Sequence, residues 1–265
     1  MNPSPKPLPK NLLLPTLSLM AHAVEHRRPH GIMSDPTAAS WLEALLNVYS
    51  EVPNPEPELI NGLITRSIII DYALLAFSRL HNRTSVVDLG CGFSTRFYRL
   101  GFGGYNIEAW IHVDLPEVLQ ARLTLGQMSQ CELAVGRDLC NLEHQGIPLS
   151  PSFEFTLNHL FLLEGVLNHL PKDKAKSLLE HMRKVCRGGT VLGTVMTERC
   201  KETLSETYGT PLPLWGVNDT AELETWLKPA RIDRIWLLGK VASRIGLIRP
   251  LLADEASGLV FLAQL

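Results

Sequence analysis

Apolar and polar positions along the chain follow two rhythms. Residues 11–80 carry almost no strand signal. Asp35-Pro36 opens a helix whose apolar face is Ala38, Trp41, Leu42, Leu45 and Leu46. Pro53-Asn54-Pro55-Glu56-Pro57 is a rigid break, and a second helix is predicted over about 58–80, through Leu59, Leu63, Ile69, Ile70, Leu74 and Leu75. From Ser85 short β-type runs alternate with helical stretches. Val86–Leu89, Ile107–Val113, Cys131–Val135, Leu157–Leu163 and Thr190–Val195 read as strands, and residues 172–186 as a helix through Ala175, Leu178, Leu179, Met182 and Val185. Arg231–Leu238 and Leu259–Leu265 are further strands. Such alternation predicts an α/β fold with a mostly parallel sheet. The expected organisation is an N-terminal helical cap over 1–80, its first ten residues disordered or extended, and a sheet domain over 81–265.

Composition narrows the classes. The chain has 265 residues, 45% hydrophobic and 20% charged, with net charge −2. That length buries roughly 70–75% of its unfolded surface, so no disulfide or metal is needed for a core. Nothing basic points to nucleic acid or an acidic membrane surface. The five cysteines form no C-x-x-C pair, and read as small buried hydrophobes in a reducing, cytoplasmic compartment with no metal site. Lys6 and Lys10 precede Leu12-Leu13-Leu14, and Ala21-His22-Ala23 has the form of a signal-peptidase site. Pro15 interrupts that run while Leu17, Met20 and Val24 keep helical rhythm, so a cap helix is expected there. No stretch is expected to be long and apolar enough to cross a membrane.

In an open α/β sheet, ligands sit beyond the carboxyl ends of the strands. Asp88-Leu89-Gly90-Cys91-Gly92 closes the first strand. Its glycines permit close backbone approach, and Asp88 would repel phosphate and suit a cationic amino acid moiety. The third glycine of a dinucleotide fingerprint is replaced by Thr95. Asp114 closes the second strand and suits either ribose hydroxyls or the cap of a helix at Leu115-Pro116-Glu117. Asp138 and Leu139 suit an adenine amino group and ring. Glu164 ends an apolar strand, where a carboxylate is costly to bury unpartnered; it is a ligand-facing acid, or else a partly exposed structural one. Asn168 and His169 follow it. His112, inside a strand, reads as packing.

The string Val86-Val87-Asp88-Leu89-Gly90-Cys91-Gly92-Phe93-Ser94-Thr95-Arg96-Phe97-Tyr98-Arg99-Leu100 resembles the first motif of the leucine carboxyl methyltransferase family, which includes tetracenomycin-type polyketide O-methyltransferases. Val113-Asp114-Leu115-Pro116 and Glu164-Gly165-Val166-Leu167 resemble its second and fourth motifs, and Asn61-Gly62-Leu63-Ile64-Thr65-Arg66 with Asp71 its helix before the sheet. The resemblance implies a class I methyltransferase fold of seven strands, the last antiparallel, binding S-adenosyl-L-methionine. Gly90 and Gly92 would line the methionine part, and Arg66 would hold its carboxylate. Asp114 would take the ribose, and Asp138 with Leu139 the adenine. Glu164 would lie near the ammonium or sulfonium. Arg matches a carboxylate as a fork, and acids offset the cations.

Asn168 and His169 depart from the family, which usually has an aromatic residue in place of His169 and an apolar one in place of Asn168. Both become the candidate catalytic residues, His169 as a base for a hydroxyl acceptor. The expected function is O-methyl transfer to a carboxyl or hydroxyl of a small molecule, in secondary metabolism. One alternative is intramolecular cyclisation of the cofactor to azetidine-2-carboxylate and methylthioadenosine. Another is a non-catalytic binding module. Residues 11–80 and 209–218 are candidates for a lid, and Trp41 and Trp215 for pocket aromatics or core.

Overall fold

The computed structural model describes residues 5–50, 52, 54–101, 106–142, 146–147, 158–186, 188–208, 213–247 and 258–265. Leu157 and residues 209–212 of the expected lid lie outside these.

The central sheet is built from β1 (Thr84–Leu89), β2 (Ile107–Asp114), β3 (Glu132–Gly136), β4 (Asn158–Leu163), β5 (Thr190–Val195), β6 (Arg231–Leu237) and β7 (Leu259–Gln264). Their order is β3-β2-β1-β4-β5-β7-β6. Pairings from β3 to β5 are parallel, whereas β7 runs antiparallel to both β5 and β6. The last strand is therefore the reversed one, as the resemblance implied. β1 and β5 are buried along their whole length, with apolar residues on both faces, as central parallel strands require.

Each face has its own core. On one, Val87, Leu89, Phe161, Leu163 and Val191 meet Ala175, Leu178, Leu179 and Met182, the apolar stripe of the helix Lys172–Val185. On the other, Val86, Trp110, Leu160 and Leu162 meet Ile69, Ile70, Leu74 and Phe77. The N-terminal helices are α1 (Leu13–Arg27), α2 (Pro36–Val48) and α3 (Pro57–Leu80). Asp35 caps α2 by accepting the Ala38 N–H at 2.9 Å. Leu19, Met20, Trp41, Leu42 and Leu45 form a third cluster with Phe93 and Val118.

The second half of α3 packs on the sheet. α3 corrects one expectation: it is long and apolar enough to cross a membrane by length and composition. Its apolarity has a local cause: a helix is apolar around most of its girth when neighbours cover it on several sides. Among the cysteines, Cys91, Cys186 and Cys200 are buried but Cys131 is exposed.

Candidate functional site

The tips of β1, β2 and β4 converge on one turn. Gly90 and Gly92 adopt φ +70° and +50°, in the left-handed region that other residues enter only at a cost. The Gly92 N–H donates to Asp114 Oδ2 at 2.7 Å, and the Leu115 N–H to Asp114 Oδ1 at 2.8 Å. Asp114 is therefore not the side-chain cap of the next helix, α4 in the sheet region's crossover (Pro116–Leu125), which has none. It sits across the glycine turn, with lone pairs remaining on both oxygens. Burial raises its pKa, against the two backbone N–H groups and Arg122. A Cβ on Gly90 would come 2.4 Å from Val166 Cγ2 and 3.6 Å from Leu139 Cδ1, and one on Gly92 would come 3.2 Å from Pro15 Cβ. Leu139, Val166 and Pro15 of α1 thus supply an apolar surround to the turn.

Beneath the turn lies a polar row. Asp88 and His112 are register partners on β1 and β2, and His112 Nε2 lies 2.8 Å from Glu132 Oε1. All three are buried. Burial lifts Asp88 to about 6, opposed by Arg96 and Arg122, and pushes His112 down to about 4, with Arg122 acting in the same direction. Arg122 also donates to the carbonyl oxygens of Gly92 (3.2 Å) and Ser94 (2.6 Å), and its guanidinium stands 4.9 Å from the Trp41 ring centroid. One buried cation so fixes the carbonyl side of the turn while Asp114 fixes its N–H side.

At the tip of β4, Glu164 is held from several sides. Oε1 accepts from Arg66 Nε (2.9 Å) and Ser67 Oγ (3.0 Å), and Oε2 lies 2.5 Å from Arg96 Nη2. Burial raises the Glu164 pKa, but Arg96 and Arg66 reverse this and hold it well below the usual carboxylate range. The network continues outward. Asp71 receives Arg96 (2.6 Å) and Arg99 (2.8 Å), and Asp35 receives Arg99 (2.8 Å) and Thr95 (2.5 Å). His22 Nε2 lies 2.9 Å from Ser67 Oγ. His22 Nδ1 lies 3.3 Å from both Arg99 Nη1 and Asp35 Oδ2, between a donor and an acceptor. Burial lowers the His22 pKa, opposed by its contact with Asp35.

The candidate residues thus have different occupations. Gly90, Gly92, Asp88, Asp114, Leu139 and Glu164 gather at the strand tips. Arg66 binds Glu164 through Nε, while its Nη1 lies over Gly165. Asp138 caps a short turn, accepting from Cys140 N (2.9 Å) and Asn141 Nδ2 (2.6 Å). Asn168, expected to reach the substrate, is instead a tie. Its Nδ2 donates to Trp215 O (2.6 Å) and its Oδ1 accepts Met196 N–H (2.8 Å). An amide with both ends spent on backbone is a buried strut. His169 is half-buried, with Nδ1 lacking a partner among the described residues; burial, then Arg66, lowers its pKa to about 4. Trp41 and Trp215 are both core residues.

The sequence reading missed Arg96, Arg122, Ser67, His22 and Glu132. Arg96 and Arg99 carried a signal: two arginines three apart, just after a glycine turn, with acids on the preceding helix.

Comparison with known proteins agrees with this architecture. Over 95% of this chain and 96% of the other, the fold matches a DUF574 family protein from Streptomyces avermitilis, with TM-score 0.64 at 12% identity. It also matches a candidate methyltransferase from Thermobifida fusca over 92% and 94% of the two chains, with TM-score 0.60 at 13% identity. The methyltransferase domain of bacterial CtHen1 matches with TM-score 0.52 at 14% identity, over 76% of this chain and all of that domain. Among curated protein sequences none matches. The fold is that of the class I S-adenosylmethionine-dependent methyltransferases. The chain belongs to the leucine carboxyl methyltransferase family, whose model matches residues 16–183.

Proposed function

We propose that the protein transfers a methyl group from S-adenosylmethionine to a carboxyl or hydroxyl oxygen of a small molecule. The observation that carries this is the Asp114 carboxylate lying over the Gly92 N–H, at the mouth of a turn whose two glycines have positive φ. The residues fit the cofactor: a half-buried acid with lone pairs to spare for a ribose, an apolar flank at Leu139, and an arginine at Arg66 with Nη1 beside Gly165. When bound, the cofactor supplies an electrophilic methyl on a sulfonium. The protein's part is to align the acceptor with it and exclude water, worth up to roughly 7–11 kcal/mol in favourable cases. A carboxylate acceptor needs no base. For a hydroxyl acceptor His169 is the candidate. Its lowered pKa keeps it neutral at pH 7, with a lone pair to receive a proton, though as a weak base.

The geometry supports transfer over cyclisation. Cyclisation needs a group to take a proton from the cofactor's ammonium, and Asn168 is spent on backbone while Glu164 is matched by Arg66 and Arg96. The set of glycines and Asp114 speaks against a non-catalytic module. Resemblance to polyketide O-methyltransferases supports an acceptor from secondary metabolism. The free cysteines suit the cytoplasm.

Incubation with S-adenosylmethionine alone, then with candidate acceptors, tests the reading by mass spectrometry. Transfer yields S-adenosylhomocysteine only with an acceptor; methylthioadenosine without one overturns it. Asp114→Ala is expected to weaken cofactor binding about 10–100-fold, from charge-assisted hydrogen bonds of ~1.5–3 kcal/mol. Unchanged affinity by calorimetry removes Asp114 from the site.

A further inference from the structure

We propose that Asp88 and His112 form a proton-holding pair beneath the glycine turn, and that this pair makes the site favour the cationic methyl donor over its neutral product. The inference rests on the proposed reading that S-adenosylmethionine lies across that turn.

The geometry comes first. Asp88 Oδ2 and His112 Nδ1 face each other at 3.9 Å, and Asp88 and His112 are 3% and 1% exposed. Neither atom has a hydrogen-bond partner among the described residues. Buried polar atoms are seldom left this way without a reason. The tautomer explains the gap. His112 Nε2 contacts the Glu132 carboxylate at 2.8 Å and Arg122 Nη2 at 3.4 Å; the much closer acceptor assigns the hydrogen to Nε2, so Nδ1 presents a lone pair to Asp88. Two acceptors then confront one another in the dry interior. One added proton converts that repulsion into an O–H···N hydrogen bond after a small side-chain movement. The pair is built to hold a proton or to release it.

Its surroundings set when it does so. Arg96 and Arg122 favour the anion, while Asp114 and Glu164 oppose it, and burial is the largest influence. The neighbouring Cys91 thiol is kept protonated by burial. The balance leaves Asp88 titrating at about 6, within reach of a charged ligand two to four residues further along the chain. S-adenosylmethionine carries one more positive charge than S-adenosylhomocysteine. A cation in the crevice favours loss of the proton. By reciprocity, loss of the proton favours the cation. The neutral product gains little from it. Donor and product are thus told apart by a charge the crevice can raise or lower.

Calorimetric titration of the full chain with S-adenosylmethionine and with S-adenosylhomocysteine, at pH 5.0 to 7.0 in two buffers of different ionisation heat, reads this directly. Donor binding should release more protons near pH 6 than product binding. The donor-to-product affinity ratio should rise about 10-fold across the range, one unit of ligand-linked pKa shift. Asp88→Asn should flatten both. Equal proton release for the two ligands, with a ratio independent of pH, overturns the inference while leaving the cofactor reading intact. A variant that keeps the full wild-type dependence also overturns it. No heat from either ligand at any pH would overturn both. Should Asp88→Asn fail to fold, the wild-type arm decides alone.

Discussion

Two buried polar regions flank the glycine turn, and they are built on opposite rules. At the tip of β4, Glu164, Asp71 and Asp35 are met by Arg66, Arg96 and Arg99, with Ser67, Thr95 and His22 filling remaining sites. Under β1 and β2, Arg122 acts on Asp88 and Asp114, Glu132 meets His112, and Asp88 and His112 keep facing atoms without partners among the described residues. Matching converts buried charge into a rigid fixture. Here it ties α1, α2 and α3 to the sheet, because Asp35 belongs to the start of α2 and His22 to α1. Undermatching leaves a group free to respond to a ligand's charge. Strain of that kind tends to cluster at functional sites.

Breaking the matched region should cost most. Arg96 joins Asp71 to Glu164, and Arg96→Met leaves two buried acids short of a counter-charge. A loss of about 3–5 kcal/mol is expected in urea denaturation at pH 7, the usual penalty for removing one partner of a buried pair. A loss below 1 kcal/mol would mean that Arg66 and Arg99 carry the network without it.

The undermatched region should respond to pH with the opposite sign. Burial raises the folded pKa of Asp88 to about 6, well above the ordinary carboxylate value. The folded state then binds the proton more tightly than the unfolded one, so this group's contribution falls as pH rises from about 4 to about 6. Relative to Asp88→Asn, the ligand-free wild type should lose about 2–3 kcal/mol over that window and then level off. Glu164 and Asp35 act the other way. Their folded pKa values are depressed, so their stability is present above the unfolded pKa and lost on acidification. Comparing wild type with the Asp88 variant cancels that common part. Parallel stability curves for the two proteins would place Asp88 in an ordinary, matched setting.

The difference between the regions also explains what the sequence could reveal. The placing of the glycine turn and Asp114 at strand tips is legible, because glycines and acids at the ends of apolar runs mark where strands stop. The strands were legible from apolar runs, with ends within a residue or two. The pairings were not. Arg66 and Glu164 are 98 residues apart, and Glu132 meets His112 only once β2 and β3 are aligned. Asn168 misled for a related reason. A polar residue in an apolar motif invites a chemical role, yet its partners are backbone groups of Met196 and Trp215 that no local pattern announces. α3 misled through averaging: its apolar positions face both the sheet and the other helices, so hydropathy alone gives it the profile of a membrane span.

Ser67→Ala makes the finest cut through the matched region. Ser67 gives its hydroxyl hydrogen to Glu164 Oε1 at 3.0 Å and faces His22 Nε2 at 2.9 Å. Removing it takes one partner from the His22 imidazole but leaves both guanidinium groups on Glu164. The expected loss is about 1 kcal/mol by urea denaturation, that of one net hydrogen bond. The acid limb of the stability profile should stay in place, because Arg96 and Arg66, not the hydroxyl, keep Glu164 ionised. A loss above 3 kcal/mol, or an acid limb moved upward in pH, would show that the hydroxyl organises the carboxylate. The network would then depend on Ser67 more than on its arginines, and the contrast between a matched and an undermatched region would rest on hydrogen bonding instead of charge.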